Sequence, residues 1–82
     1  MSNKEKITVI KAALRTYTRM NKKIRKALES TGIEITHSRA HYMLSVRNEV
    51  NDTRKLFVLS ATSSDWRTGR NLSSEIASFL LK

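Results

Sequence analysis

Ser30-Thr31-Gly32-Ile33-Glu34-Ile35-Thr36 is the stretch on which the fold turns. Up to Thr31 the apolar residues recur every three or four positions. From Ile33 onward they alternate with polar ones, the period of a strand. Gly32 stands at the change, and glycine ends helices by entering the left-handed conformation without a Cβ penalty.

Upstream, residues 3–31 read as one long helix. Ile7, Ile10, Leu14, Tyr17, Ile24 and Leu28 fall on one side, widened by Ala13, Met20 and Ala27. Ser2 or Asn3 can cap its start, with Glu5 at the positive end of the dipole. A break near Asn21 would give two helices in its place.

Downstream, Ile33 and Ile35 alternate with Glu34 and Thr36. Ala40, Tyr42, Leu44 and Val46 then alternate with His41, Met43, Ser45 and Arg47. Asn48-Glu49-Val50-Asn51-Asp52-Thr53 supplies turn chemistry around Asn51-Asp52. Lys55-Leu56-Phe57-Val58-Leu59 reads as a buried strand. The helical period returns with Leu72, Ile76, Phe79 and Leu80. The preferred start of that helix is near Asp65, capped by Ser63 or Ser64, with Trp66 inward and Gly69 as a weak point costing about 1 kcal/mol against Ala. Asn71 could instead cap a shorter helix.

The predicted architecture is an α+β domain of order α-β-β-β-α. A three-stranded antiparallel sheet spans about 33–60. It is covered on one face by the long N-terminal helix and by a C-terminal helix over about 64–81.

The chain has 82 residues, one domain's worth. A domain of this size buries only about 60–65% of the surface its unfolded chain exposes, so a homodimer partner would add to a thin core. Cysteine is absent, which excludes disulfides and Cys-ligated zinc modules and fits a reducing cytoplasm. No apolar run reaches the roughly 18 residues of a membrane span, and the N-terminus lacks the apolar centre of a secretory signal.

Sixteen Lys and Arg stand against seven Asp and Glu, a formal net charge of +9. Such an excess points to a polyanionic partner. Residues 1–28 hold nine basic groups and one acid, an excess of eight. On a continuous helix Lys4, Lys11, Arg15, Arg19, Lys22 and Lys26 share an arc of about 80°, broadly opposite the apolar stripe. A solvated lysine-rich face normally carries interspersed Glu at i,i+4, and here those acids are missing. Phosphates from a partner would relieve the repulsion. Arg67 and Arg70, beside Thr62, Ser63 and Ser64 at the start of the last helix, form a second anion-binding candidate. Aromatic content of 6% leaves few stacking platforms, which favours duplex over single strands.

His37 and His41 are the only histidines, and four positions along one strand would put them on the same face. His41, near Arg39 and Arg47, is the candidate general acid/base. No cofactor is implied and no metal site: two imidazoles without a carboxylate or thiol nearby are too few ligands. Phosphate loops, nucleophile elbows and paired carboxylates are absent.

From about residue 22 onward the chain resembles the HicA-type toxins, whose fold is like that of double-stranded-RNA-binding domains. The matching pieces are Ile24-Arg25-Lys26-Ala27-Leu28-Glu29-Ser30-Thr31-Gly32, then Ser38-Arg39-Ala40-His41-Tyr42, the strand Lys55 to Leu59, and the last helix with Ile76. The resemblance implies an α-β-β-β-α fold and RNA cleavage by His41. Where the family carries Gly-Ser-His this chain has Arg39-Ala40-His41. Where the family commonly carries Pro-His after the third strand it has Ala61-Thr62. The first 20 residues have no counterpart. In size and basicity the chain is also similar to accessory proteins of bacteriophages and mobile elements.

The leading expectation is a non-enzymatic nucleic-acid-binding protein that grips phosphates through Lys4, Lys11, Arg15, Arg19, Lys22, Lys26, Arg39, Arg67 and Arg70 in the cytoplasm. The alternatives are a HicA-like ribonuclease using His41 and a phage-encoded inhibitor of an acidic host protein. A membrane-surface role for the first helix ranks last.

Overall fold

A computed structural model describes residues 2–15, 17–61 and 67–81. The order is α1 (Asn3–Leu14), α2 (Lys22–Ser30), β1 (Glu34–Ser38), β2 (His41–Asn48), β3 (Thr53–Ser60) and α3 (Arg67–Leu80). The three strands form an antiparallel meander in the order β1-β2-β3. The α+β class and the sheet follow the sequence reading. The stretch read as one helix over 3–31 is two.

The break has local causes. Asn21 turns extended (φ −142°, ψ 173°), and its side-chain oxygen accepts from the Ile24 backbone N–H at 2.9 Å, founding α2. Tyr17 is fully buried and donates its hydroxyl to the carbonyls of Ser60 and Ala61, which ties the connection to the end of β3. Burial raises the Tyr17 pKa above the usual phenol value, with the Tyr42 hydroxyl adding to the effect. Ser2 caps α1 by accepting from the Glu5 N–H. Gly32, at φ 87°, follows α2 as its stop.

Two of the strands are joined by the two-residue turn Arg39-Ala40, since Ser38 pairs with His41 across β1 and β2. Arg39 sits at φ 51°, a left-handed conformation that glycine adopts more readily. The β2–β3 turn passes through Asp52 at φ 54°, and the Asn51 side chain accepts from Thr53.

The helices cover one face of the sheet. Leu44, Val46, Phe57 and Leu59 point into the core and meet Ile10, Leu14, Leu28, Leu72, Ile76 and Leu80. The run Lys55 to Leu59, expected to be buried throughout, is buried only at Phe57 and Leu59. Leu56 and Val58 are 56% and 53% exposed on the other face. Strand alternation enforces this, because every second side chain must point away from the helices and no described element covers that face.

A row of small residues on α3, Gly69, Ser73 and Ala77, is buried in the helical layer. At Gly69 the backbone of α1 comes so near that a Cβ would lie 2.2 Å from the Leu14 carbonyl oxygen and 2.7 Å from the Tyr17 Cβ. Glycine is therefore a requirement here, not the tolerated weak point of the sequence reading. The proposed helix start at 64–65, its Ser63 or Ser64 cap and the Trp66 position lie outside the described residues.

At the opposite end of the layer a polar knot replaces apolar packing. Buried Asn3 donates to the Asn48 side-chain oxygen (2.8 Å) and to the Leu80 carbonyl (3.0 Å), and accepts from the Glu49 N–H (3.0 Å). Asn48, fully buried, also donates to the Phe79 carbonyl at 2.9 Å and accepts from the Val50 N–H. Among the described residues no buried side-chain polar atom lacks a partner, as a dry interior demands.

Candidate nucleic-acid interface

The helix break rearranges the expected row of cations. Lys4 and Lys11 lie on α1, Arg15 is its C-terminal cap, Arg19 falls in the connection, and Lys22 and Lys26 lie on α2. Thr8, Val9, Ala12 and Ala13 of α1 face α2 across a groove of about 630 Å³, whose other lining residues include Arg19, Lys23, Ile24 and Ala27. At 100° per residue, Lys4, Lys11 and Arg15 project on the flank of α1 away from that groove. Lys22 and Lys26 project on the far flank of α2. The single arc of the sequence reading becomes two outer ridges with Arg19 and Lys23 between them. The arc assumed one helical phase through Tyr17 and Met20, and the Asn21 cap resets it.

What survives is the absence of neutralisation. Lys4, Lys11, Arg15, Arg19, Lys22 and Lys26, with Lys23, are exposed. None forms an ion pair with a described residue. Four carboxylates are engaged with other cations: Glu49 with Lys6 (2.8 Å) and Arg47 (3.8 Å), Asp52 with Arg47 (2.6 Å), Glu34 with Arg54 (3.8 Å), and Glu29 with Arg25 (3.7 Å). Lys6, only 3% exposed, also donates to the Arg47 carbonyl at 3.2 Å. Its ammonium holds the Glu49 carboxyl below the usual carboxylate range, helped by Arg47.

The start of α3 lies at the same end of the molecule as the C-terminus of α1, because Gly69 abuts Leu14 and Tyr17. The two basic segments that looked separate in the sequence, Arg15–Arg19 and Arg67–Arg70, thus border one another. Arg67 and Arg70 are exposed and also engaged within the chain. The hydroxyl run 62–64 lies outside the described residues. Arg39 is exposed at the β1–β2 turn, apart from the helical layer.

The two histidines do not face each other. The turn at 39–40 places His37 on β1, paired with Tyr42, and His41 on β2, paired with Ser38. Tyr42 and His41 are adjacent on one strand, so their faces are opposite and the same-face expectation is wrong. It assumed a continuous strand through Arg39. His37 stacks on Tyr42 with ring centroids 4.5 Å apart. His41 is exposed on the open face, in register with Ser38 and Ser60. Among the described residues no cluster of three or more His, Asp or Glu could hold a metal ion. No helix among them is long and apolar enough to cross a membrane.

Sequence reasoning missed Lys6, Asn3 and Asn48 as buried polar anchors. Lys6 carried a faint signal, since it lies off the cationic arc and near the apolar stripe. In comparison with known proteins, no family model, no curated protein and no solved structure matches the chain.

Proposed function

We infer that this protein binds nucleic acid, duplex in preference to single strands, through the cations of α1, α2 and their connection, without catalysis. One observation carries the reading. Four of the chain's other cations have carboxylate partners, whereas Lys4, Lys11, Arg15, Arg19, Lys22 and Lys26 have none among the described residues. Each such group gains by displacing counterions from a phosphate backbone. Arg67 and Arg70 add to the rim at the α1–α3 junction, and Arg39 to the hairpin tip.

The test is a titration against duplex DNA, duplex RNA and single strands at two salt concentrations. Log K should fall linearly with log salt, and Lys22→Ala with Lys26→Ala should reduce that slope by about 1.8 in duplex DNA. Lys55→Ala, which lies over Phe57 beside Glu75, Ser78 and Phe79 of α3 and is no part of the α1–α2 ridges, should leave the slope unchanged. Failure to bind any of these at about 50 mM salt would overturn the reading.

The α1–α2 groove favours a second reading. Its floor of Val9, Ala12, Ala13, Ile24 and Ala27 is apolar and its rim carries Arg19 and Lys23. That lining suits an acidic amphipathic helix of a partner protein, as expected of an inhibitor. A stoichiometric protein retained after nuclease treatment, and lost on Ala12→Arg, would support it over the first.

A further inference from the structure

The sheet face turned away from the helices is the second broad surface of the molecule, and its chemistry differs from that of the first. Thr36, Met43 and Val58 lie in one cross-strand row, and Glu34, Ser45 and Leu56 in the next. Leu56 and Val58 are more than half exposed, and Met43 is half-buried beside them. The charges at the margin cancel within the chain: Glu34 with Arg54, and Arg47 with Asp52 and Glu49.

We propose that this open face, centred on Met43, Leu56 and Val58, is the contact through which two copies of this chain form a homodimer. A polyanion gains nothing on a surface whose cations are already paired. For a chain of formal charge +9, a second copy is opposed wherever unpaired lysines would meet. The open face is where two copies meet with their charges already offset. Its outline suits face-to-face sheet packing at about 10 Å, and Met43 is unbranched and adapts to an opposing surface.

Size sets the strength. A standard interface takes about 800 Å² from each partner, roughly one seventh of the 5431 Å² surface of this chain. Three strands about 4.8 Å apart and eight residues long at most give a footprint on the order of 14 × 26 Å, about 360 Å² per copy and less than half of that standard, so the contact is a weak, reversible one. The dimer would direct its two basic helical layers outward on opposite sides.

Sedimentation equilibrium on the full chain, from about 10 to about 500 µM in about 0.5 M salt to screen net repulsion and exclude nucleic acid, reads the mass directly. The expected result is a reversible monomer–dimer equilibrium. Leu56→Glu should weaken it at least about tenfold by setting two carboxylates against each other. Val58→Thr, which keeps a β-branched side chain and so the strand, should weaken it by a smaller factor. Ser74→Glu on the exposed side of α3 should leave it unchanged. A monomer throughout the range, a dimer indifferent to both sheet substitutions, or one abolished by Ser74→Glu would each overturn the proposal.

Discussion

Replacing Gly69 by Ala sets two well-measured effects against each other. In an exposed helix interior the change stabilises by about 1 kcal/mol, because glycine loses more backbone freedom on folding. At this position the new methyl would lie 2.2 Å from the Leu14 carbonyl oxygen, 2.7 Å from the Tyr17 Cβ and 3.2 Å from the Leu14 carbonyl carbon. Ordinary carbon contacts begin near 3.5 Å, so α1 and α3 must part by about 1 Å. No rotamer offers an escape, since the obstructing atoms are backbone and a Cβ. Overpacking typically costs about 1–3 kcal/mol, and a rigid clash falls at the upper end. Moving the segment around Tyr17 also endangers its hydroxyl bonds to Ser60 and Ala61, worth about 1 kcal/mol. The sum is a net loss of about 2–3 kcal/mol. For a domain of this length each kcal/mol lowers Tm by about 4–8 °C, so a fall of about 10–20 °C is expected. Urea unfolding followed by circular dichroism, with the m-value checked for two-state behaviour, measures it. A variant as stable as the parent, or more stable, would show that the two helices do not approach as described.

Other consequences are open to the same assays. Asn48→Ala should cost about 1–3 kcal/mol, since it takes one partner from the buried Asn3 amide and the side-chain partners of the part-buried Phe79 carbonyl and Val50 N–H. Glu49 has a carboxyl pKa lowered on folding, mainly by Lys6, so its contribution is complete above the unfolded value of about 4.3 and is lost as pH falls through the lower folded value. Thermal melts of the parent and Glu49→Gln should therefore differ at pH 7 and converge in strong acid. Arg39→Gly should raise stability by up to about 1 kcal/mol by relieving the left-handed conformation at φ 51°. A lower Tm would show that the Arg39 side chain holds the turn in place.

The sheet was legible because its two constraints are local. Gly32 marks the change of period, and Leu44 and Val46 alternate with Ser45 and Arg47 as a half-covered strand must. The end of α2 and the turn at Asn51-Asp52 follow from residues that carry their own conformational preferences. What stayed hidden depends on partners far away in the chain. Nothing near Gly69 reveals that the Leu14 carbonyl will press against it. Lys6 looks like any other lysine until Glu49 and the Arg47 carbonyl arrive from the β2–β3 turn. Leu56 and Val58 misled in the opposite sense: an unbroken apolar run suggests burial on both sides, and only the placement of all the helices on one side shows that half of it is open. The cationic site was legible in composition and not in shape. The charges could be counted directly, but their arrangement required knowing that Tyr17 is drawn into the core and Asn21 starts a new helix.

The knot of Asn3, Asn48, Phe79 and Leu80 has a topological consequence. It brings the start of α1 and the end of α3 side by side, so the backbone between Asn3 and Leu80 runs nearly as a closed circuit. A short linker could join the two ends, and the circuit could be reopened at the β2–β3 turn, where Val50 is 80% exposed. In the natural order, anything fused to either end emerges at the same corner of the domain. Cargo attached there would sit at the far end of α1 from the junction where Arg15, Arg67 and Arg70 gather.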